Sequence, residues 1–171
     1  MKDRRKLYRI LDANLNRARE GLRVSEEIVR FAMDSAPLQK GFKKCRHALK
    51  SALERLGASE LVKSRDSGGD VGKGPSKLED PRKDLEGVFM ANVQRVKESL
   101  RALEEFSKLV DAKASAAFKE TRFRVYQLEK RALPKLEALR DHVSGVLGRT
   151  RRGVGYRRSN SRRRKRRSTS R

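Results

Sequence analysis

The segment DANLNRAREGLRVSEEIVRFAMD, residues 12–34, returns without a gap as MANVQRVKESLRALEEFSKLVDA, residues 90–112. Eight of the 23 positions are identical at an offset of 78: Ala13/Ala91, Asn14/Asn92, Arg17/Arg95, Glu20/Glu98, Leu22/Leu100, Arg23/Arg101, Glu26/Glu104 and Glu27/Glu105. Most of these matches are polar, so a shared apolar rhythm does not account for them. A weaker echo at an offset of 76 sets Phe42, Lys43 and Arg46 against Phe118, Lys119 and Arg122. Both copies place apolar residues three and four apart, the spacing of an amphipathic helix, and each is followed by a second such pattern. The chain therefore reads as all-α, a four-helix-bundle-like pair of repeated helical hairpins about a pseudo-two-fold axis.

Working outward from the repeat, the first hairpin covers about residues 3–57, with Ser35 and Pro37 opening its second helix and Gly57 stopping it. The stretch KSRDSGGDVGKGPSKLE, residues 63–79, loses all periodicity and gathers Gly, Ser, Asp and Pro, so it reads as a loop. Asp80 and Pro81 then suit the cap and first turn of a third helix, and the second hairpin covers about 80–147. Within its last helix Pro134 removes a backbone donor and predicts a kink or a break, and Gly148 predicts the end. Residues 1–148 thus form one helical domain. The remainder, 149–171, is rich in arginine and almost without apolar side chains, and it is expected to be disordered.

Twelve of the 45 basic residues and none of the 22 acidic ones fall in 149–171, so the total of +23 leaves the body at +11. A body this basic favours anionic partners. No run approaches the roughly 20 apolar residues of a membrane span, and the opening MKDRRKLYRIL lacks the apolar centre of a secretory signal. The expected location is the cytoplasm. Cys45 is the sole cysteine, which excludes an intramolecular disulfide and a multi-cysteine metal site.

Two clusters hold candidate chemistry. On a helical wheel Asn14 falls within the apolar stripe and Arg17 at its edge, and Asn92 and Arg95 repeat those places. A symmetric bundle is expected to turn Asn14, Arg17, Glu20, Asn92, Arg95 and Glu98 into a shared polar cavity. The same residues also have helical pairing distances, so a purely structural ion-pair network stays open as a reading. The second cluster is Lys43, Lys44, Arg46 and His47, followed by Arg65 and Lys73 in the Gly-rich loop, a set of donors suited to phosphate oxygens. GGDVGKG is not a P-loop: it has one spacer too few, and Gly74 stands where Ser or Thr would hold magnesium. Asp66 and Asp70 could take a magnesium ion, or Asp70 could orient an attacking oxygen, and turn formation explains them equally well.

The strings LDANLNRAREGLRVSEEIVRF, KKCRHAL, SRDSGGDVG, ANVQRVKESLRALEEFSK and TRFRVYQLEK, in that order, cover about Arg9 to Lys130. Together they resemble the helical family of monofunctional hydroxymethylpyrimidine phosphate kinases, found alone or fused to thiamine phosphate synthase. The resemblance implies ATP- and magnesium-dependent phosphorylation of 4-amino-5-hydroxymethyl-2-methylpyrimidine phosphate to the diphosphate, a small-molecule phosphate substrate, and thiamine phosphate synthase as a partner. Asn14, Glu20, Arg46, His47, Arg65, Asn92, Glu98 and Arg122 are then the expected substrate and phosphate contacts, and Asp70, Arg17 and Arg95 the expected catalytic residues, with Tyr126 ranked lower. The arginine-rich tail departs from the family pattern. It supports a rival reading as a helical nucleic-acid-binding protein, through non-specific backbone attraction. A non-catalytic partner of the thiamine enzyme is the other rival.

Overall fold

The computed structural model describes residues 2–71 and 82–153, with side chains at 3–71 and 82–139. Helix α1, Lys2–Glu27, buries Leu11, Leu15, Ala18 and Leu22 along one stripe. It passes into a π-helical turn, Ile28–Ala32, and Asp34 at φ 46° reverses the chain. Extended Ser35 and Pro37 in the first turn start α2, Ala36–Leu56, as their types predict. Gly57 at φ 84°, a conformation that disfavours side chains, ends it. Helix α4, Leu85–Ser107, completes the central pair with α1, and α5, Ala112–Gly153, follows after a short connection.

Four expectations are corrected. A short helix, α3, spans Ala58–Ser64, so Lys63 and Ser64 are helical and the described part of the loop is 65–71. The cap of α4 is Asp84, whose Oδ1 accepts from the Gly87 amide at 2.7 Å, four residues beyond the expected start. Asp80, Pro81 and Lys73 lie outside the described residues. Helix α5 does not break at Pro134, and it runs on through Gly148 to Gly153. A single proline forfeits one backbone bond and a glycine about 1 kcal/mol, which a helix this long absorbs. Of the tail expected to be disordered, 149–153 belong to α5 and 154–171 lie outside the described residues.

The four long helices form a ring in which α1 packs on α2 and α4, and α5 packs on α4 and α2, while α3 lies against α1. No strand occurs among the described residues, so the all-α bundle of two hairpins stands. The interior is apolar: Phe42 meets Phe89 edge to face at 5.9 Å, with Leu38, Leu49, Leu100, Leu103 and Phe118 around them. At the α1–α4 seam Gly21 lets the backbones approach closely. A Cβ there would sit 2.9 Å from the Asn92 carbonyl oxygen and 2.7 Å from a Val96 methyl. Among the described residues no helix is long and apolar enough to cross a membrane.

Candidate functional site

The duplication visible in the sequence is also a duplication of bonds. Asn14 donates to the Ile10 carbonyl at 3.0 Å, and Asn92 to the Val88 carbonyl at 2.8 Å. Arg23 pairs with Glu27, and Arg101 with Glu105. Glu26 and Glu104 are both buried, and each is met by an arginine from the neighbouring helix: Arg46 for Glu26, Arg122 for Glu104. The interval is 20 residues in the first copy and 18 in the second, and the π-helical turn with its following residues takes up the difference. Burial pushes the Glu26 carboxyl up, but hydrogen bonds from Arg46 and Gln39 and the charge of Arg23 more than offset it, so the net shift is downward.

These bonds relocate several expected contacts. Arg46 and Arg122 are committed to buried carboxylates, because a charge taken out of water demands a partner. Arg122 also donates to the Tyr126 hydroxyl at 2.9 Å. Asn14 and Asn92 serve their own helices. Arg17 and Arg95 are exposed and without a hydrogen bond or ion pair among the described residues. They do not line an enclosed cavity. Ala18, Leu22, Val96 and Leu100 fill the interior beside them, and the close approach at Gly21 leaves no room for two guanidinium groups. Glu20 and Glu98 line two separate grooves. One shared cavity is therefore replaced by two related grooves on opposite edges of the ring.

The first groove, between α1 and α2, encloses about 770 Å³ and is lined by Asn16, Arg19, Glu20, Arg23, Arg46, His47 and Lys50 above Val24 and Leu53. Arg19, Glu20 and His47 make no side-chain bond among the described residues, so the Arg19 guanidinium is left over for an anion. The second groove, between α4 and α5, encloses about 660 Å³ and is lined by Gln94, Lys97, Glu98, Arg101, Ala102, Glu105, Phe106 and Tyr126. Its chemistry has diverged. Lys97, the counterpart of Arg19, is bound by both oxygens of Glu129 at 2.8 and 2.9 Å, and Tyr126 stands where the first groove has Lys50. The first groove keeps more basic side chains without internal partners among the described residues than the second.

Beside it the segment after α3 is tied down. Arg65 makes a two-pronged contact to buried Asp12 at 2.7 and 2.8 Å, and Asn16 donates to the same carboxylate at 3.3 Å. Arg9 bonds the Asp66 carbonyl at 2.9 Å and lies 3.4 Å from its carboxylate, which in turn accepts from the Gly69 amide at 2.8 Å. Expected residues Arg65 and Asp70 thus sit on an anchored strap, with Asp70 exposed. Asp12, Asn16, Arg19 and Lys50 were missed from sequence. Asp12 is unrepeated, its counterpart being Met90, so a search weighted toward duplicated residues passes over it. Among the described residues no three His, Cys, Asp or Glu side chains gather as a metal-binding set.

Comparisons with known proteins converge on this region of the chain. A thiamine-phosphate synthase of Rhodopirellula baltica is 42% identical over 123 residues, covering 71% of this chain and 33% of that protein. Thiamine-phosphate synthases of Nostoc punctiforme and Synechocystis are each 44% identical over 124 residues, covering 72% of this chain and 34% and 35% of theirs. The chain spans about a third of the length of these relatives. No solved structure matches it. A family model described as the ThiD2 family matches residues 9–131.

Proposed function

Because the chain belongs to the ThiD2 family, we propose that it phosphorylates 4-amino-5-hydroxymethyl-2-methylpyrimidine phosphate to the diphosphate in thiamine biosynthesis, in the cytoplasm. Support comes from relatives named for the synthase of that pathway. The observation that carries the reading is the α1–α2 groove, where, among the described residues, Arg19 and His47 lack side-chain partners and Lys50 has a loose 3.9 Å contact to Glu54. Its size suits a phosphorylated single ring, and its charge suits the monophosphate over the free alcohol.

In this reading Arg19 and Lys50 hold the substrate phosphate, while Arg46, fixed by Glu26, forms a rigid wall. The Asp12–Arg65 contact holds the strap so that Asp70 can orient the attacking hydroxyl. ATP supplies the transferred phosphoryl group, with magnesium balancing its charge. The residues fit phosphates well. Magnesium in such sites is commonly held by one or two carboxylates plus the nucleotide's own oxygens, a demand that Asp70 with Asp66 can meet. A thiamine phosphate synthase would consume the product.

The test follows ADP release and product mass with the pyrimidine monophosphate, ATP and magnesium. Turnover is expected, with Arg19→Ala raising KM at least tenfold and Lys97→Ala, in the diverged groove, changing it less than twofold. Absence of turnover by the unaltered protein would remove the kinase. Binding to a thiamine phosphate synthase without turnover would instead favour the non-catalytic partner, a reading prompted by the fusion of this segment in the relatives.

A further inference from the structure

The outer face of the α1–α4 pair is unusual for a solvated surface. On α1, Asp12 and Glu26 point to α2 and α3, Leu11, Leu15 and Leu22 to the core, and Gly21 to α4. Helical spacing then leaves Ile10, Ala13, Arg17 and Glu20 on the outward side, and Phe31, in the π-helical turn beyond α1, is exposed. The repeat places Ala91, Arg95 and Glu98 in the same way on α4, and Leu109, just past its end, corresponds to Phe31. Phe31 is 64% exposed and Leu109 75%, so each copy carries a large apolar side chain in water just beyond its helix.

The charges at the middle of this face are of both signs and poorly used. Arg17, Glu20 and Arg95 have no partner among the described residues, and Glu98 accepts only from Gln94 on its own helix. We propose that this face binds a second copy of the chain, stacked antiparallel across a two-fold axis. The seam's own centre falls between Arg17 and Glu20, so reversing the helix direction sets Arg17 against Glu20 of the partner subunit and Arg95 against Glu98 of the partner subunit. One surface thereby supplies both halves of each ion pair, the self-complementarity that an isologous dimer requires.

The area is sufficient. Helices of 26 and 23 residues are about 35–39 Å long and pack about 9 Å apart, giving an outer face of about 700 Å². Two such faces bury about 1,400 Å², within the standard range for specific complexes. A single ligand anion would satisfy Arg17 and Arg95, but it would leave Glu20, Phe31 and Leu109 unexplained. This inference does not rest on the kinase reading.

Sedimentation velocity and light scattering of the full chain from 1 to 200 µM test it. The expected result is a concentration-dependent two-chain species. Arg17→Glu with Arg95→Glu should weaken self-association at least 100-fold while circular dichroism and the urea midpoint show a folded bundle. Mixing that variant with Glu20→Arg, Glu98→Arg should restore a two-chain species of mixed composition. A one-chain mass at every concentration overturns the proposal. So does a dimer that survives the arginine reversal, or one that yields to inorganic phosphate but not to the charge swap.

Discussion

Replacing Arg122 by methionine tests whether the duplicated buried pairs hold the hairpins together. Glu104 is 5% exposed and accepts from Arg122 through Nε at 3.1 Å and Nη2 at 2.7 Å, while Arg101, itself largely exposed, reaches its other oxygen at 2.9 Å. Methionine keeps most of the apolar stem and removes the charge, leaving a carboxylate out of water with one solvent-screened partner. Breaking a buried pair from one side costs about 3–5 kcal/mol, and the surviving Arg101 contact places this case near about 3. In a chain of this size that is a drop of about 6–12 °C in Tm. The counterpart Arg46→Met should cost roughly half as much, about 1.5 kcal/mol, because Arg46 is already 31% exposed and Gln39 still donates to Glu26. Replacing both partners, Glu104→Leu with Arg122→Met, should recover most of the loss, since no charge is then stranded. Urea unfolding followed by circular dichroism measures all four proteins. If Arg122→Met unfolds within 0.5 kcal/mol of the parent, taken as about the scatter of exposed substitutions, or if the double variant is as weak as the single one, the pair does not bear the load assigned to it.

Three further outcomes follow from the same contacts. Glu26, Glu105 and Asp111 all have carboxyls held below their ordinary values: Glu26 against its burial by Arg46 and Gln39, Glu105 by the Lys108 hydrogen bond, and Asp111 by the Ala114 amide. The unfolded chain therefore binds protons first, so their stabilisation is complete above the ordinary carboxylate range and disappears as pH falls through the lowered values. The urea midpoint should be flat from pH 6 to 8 and decline below about pH 4.5; constancy down to pH 3 would contradict this. Gly21→Ala should lower Tm although alanine is the better helix former, because its Cβ meets the Asn92 carbonyl at 2.9 Å and the seam must open. An unchanged or raised Tm would show that the two helices are not so close. Burial pushes the Cys45 thiol up to about 11, so a disulfide reagent at pH 7.5 should label it only as fast as the protein unfolds. Rapid labelling of the native protein would place Cys45 at the surface.

The repeat made the four-helix ring legible, because an offset shared by polar and apolar residues fixes which helix matches which. Helix α3 was not legible: its seven residues lie between a helix-ending glycine and a glycine-rich loop, too short for periodicity to register. The start of α4 was misplaced because Asp80 with Pro81 and Asp84 are equally good caps on paper. Asn14 and Arg17 illustrate a harder limit. A wheel locates a side chain around its own helix, but α1 has three packed neighbours, and the direction left for Arg17 is outward. Arg46 and Arg122 were picked as phosphate contacts, and both are paired with buried glutamates; nothing in composition distinguishes an arginine that awaits a phosphate from one already spent on a buried glutamate.

The stretch from Gly57 to Asp84 joins one hairpin to the other, and a joint between two things occurs once. Every helix of the bundle has a twin, while α3, the anchored strap and the carboxylate of Asp12 that receives it have none. Gene doubling would by itself yield two equivalent clefts. Substitution unties them in part, with Lys97 for Arg19 and Tyr126 for Lys50, and the joint adds a mechanical difference: the edge next to the splice acquired neighbours that the other edge could never be given.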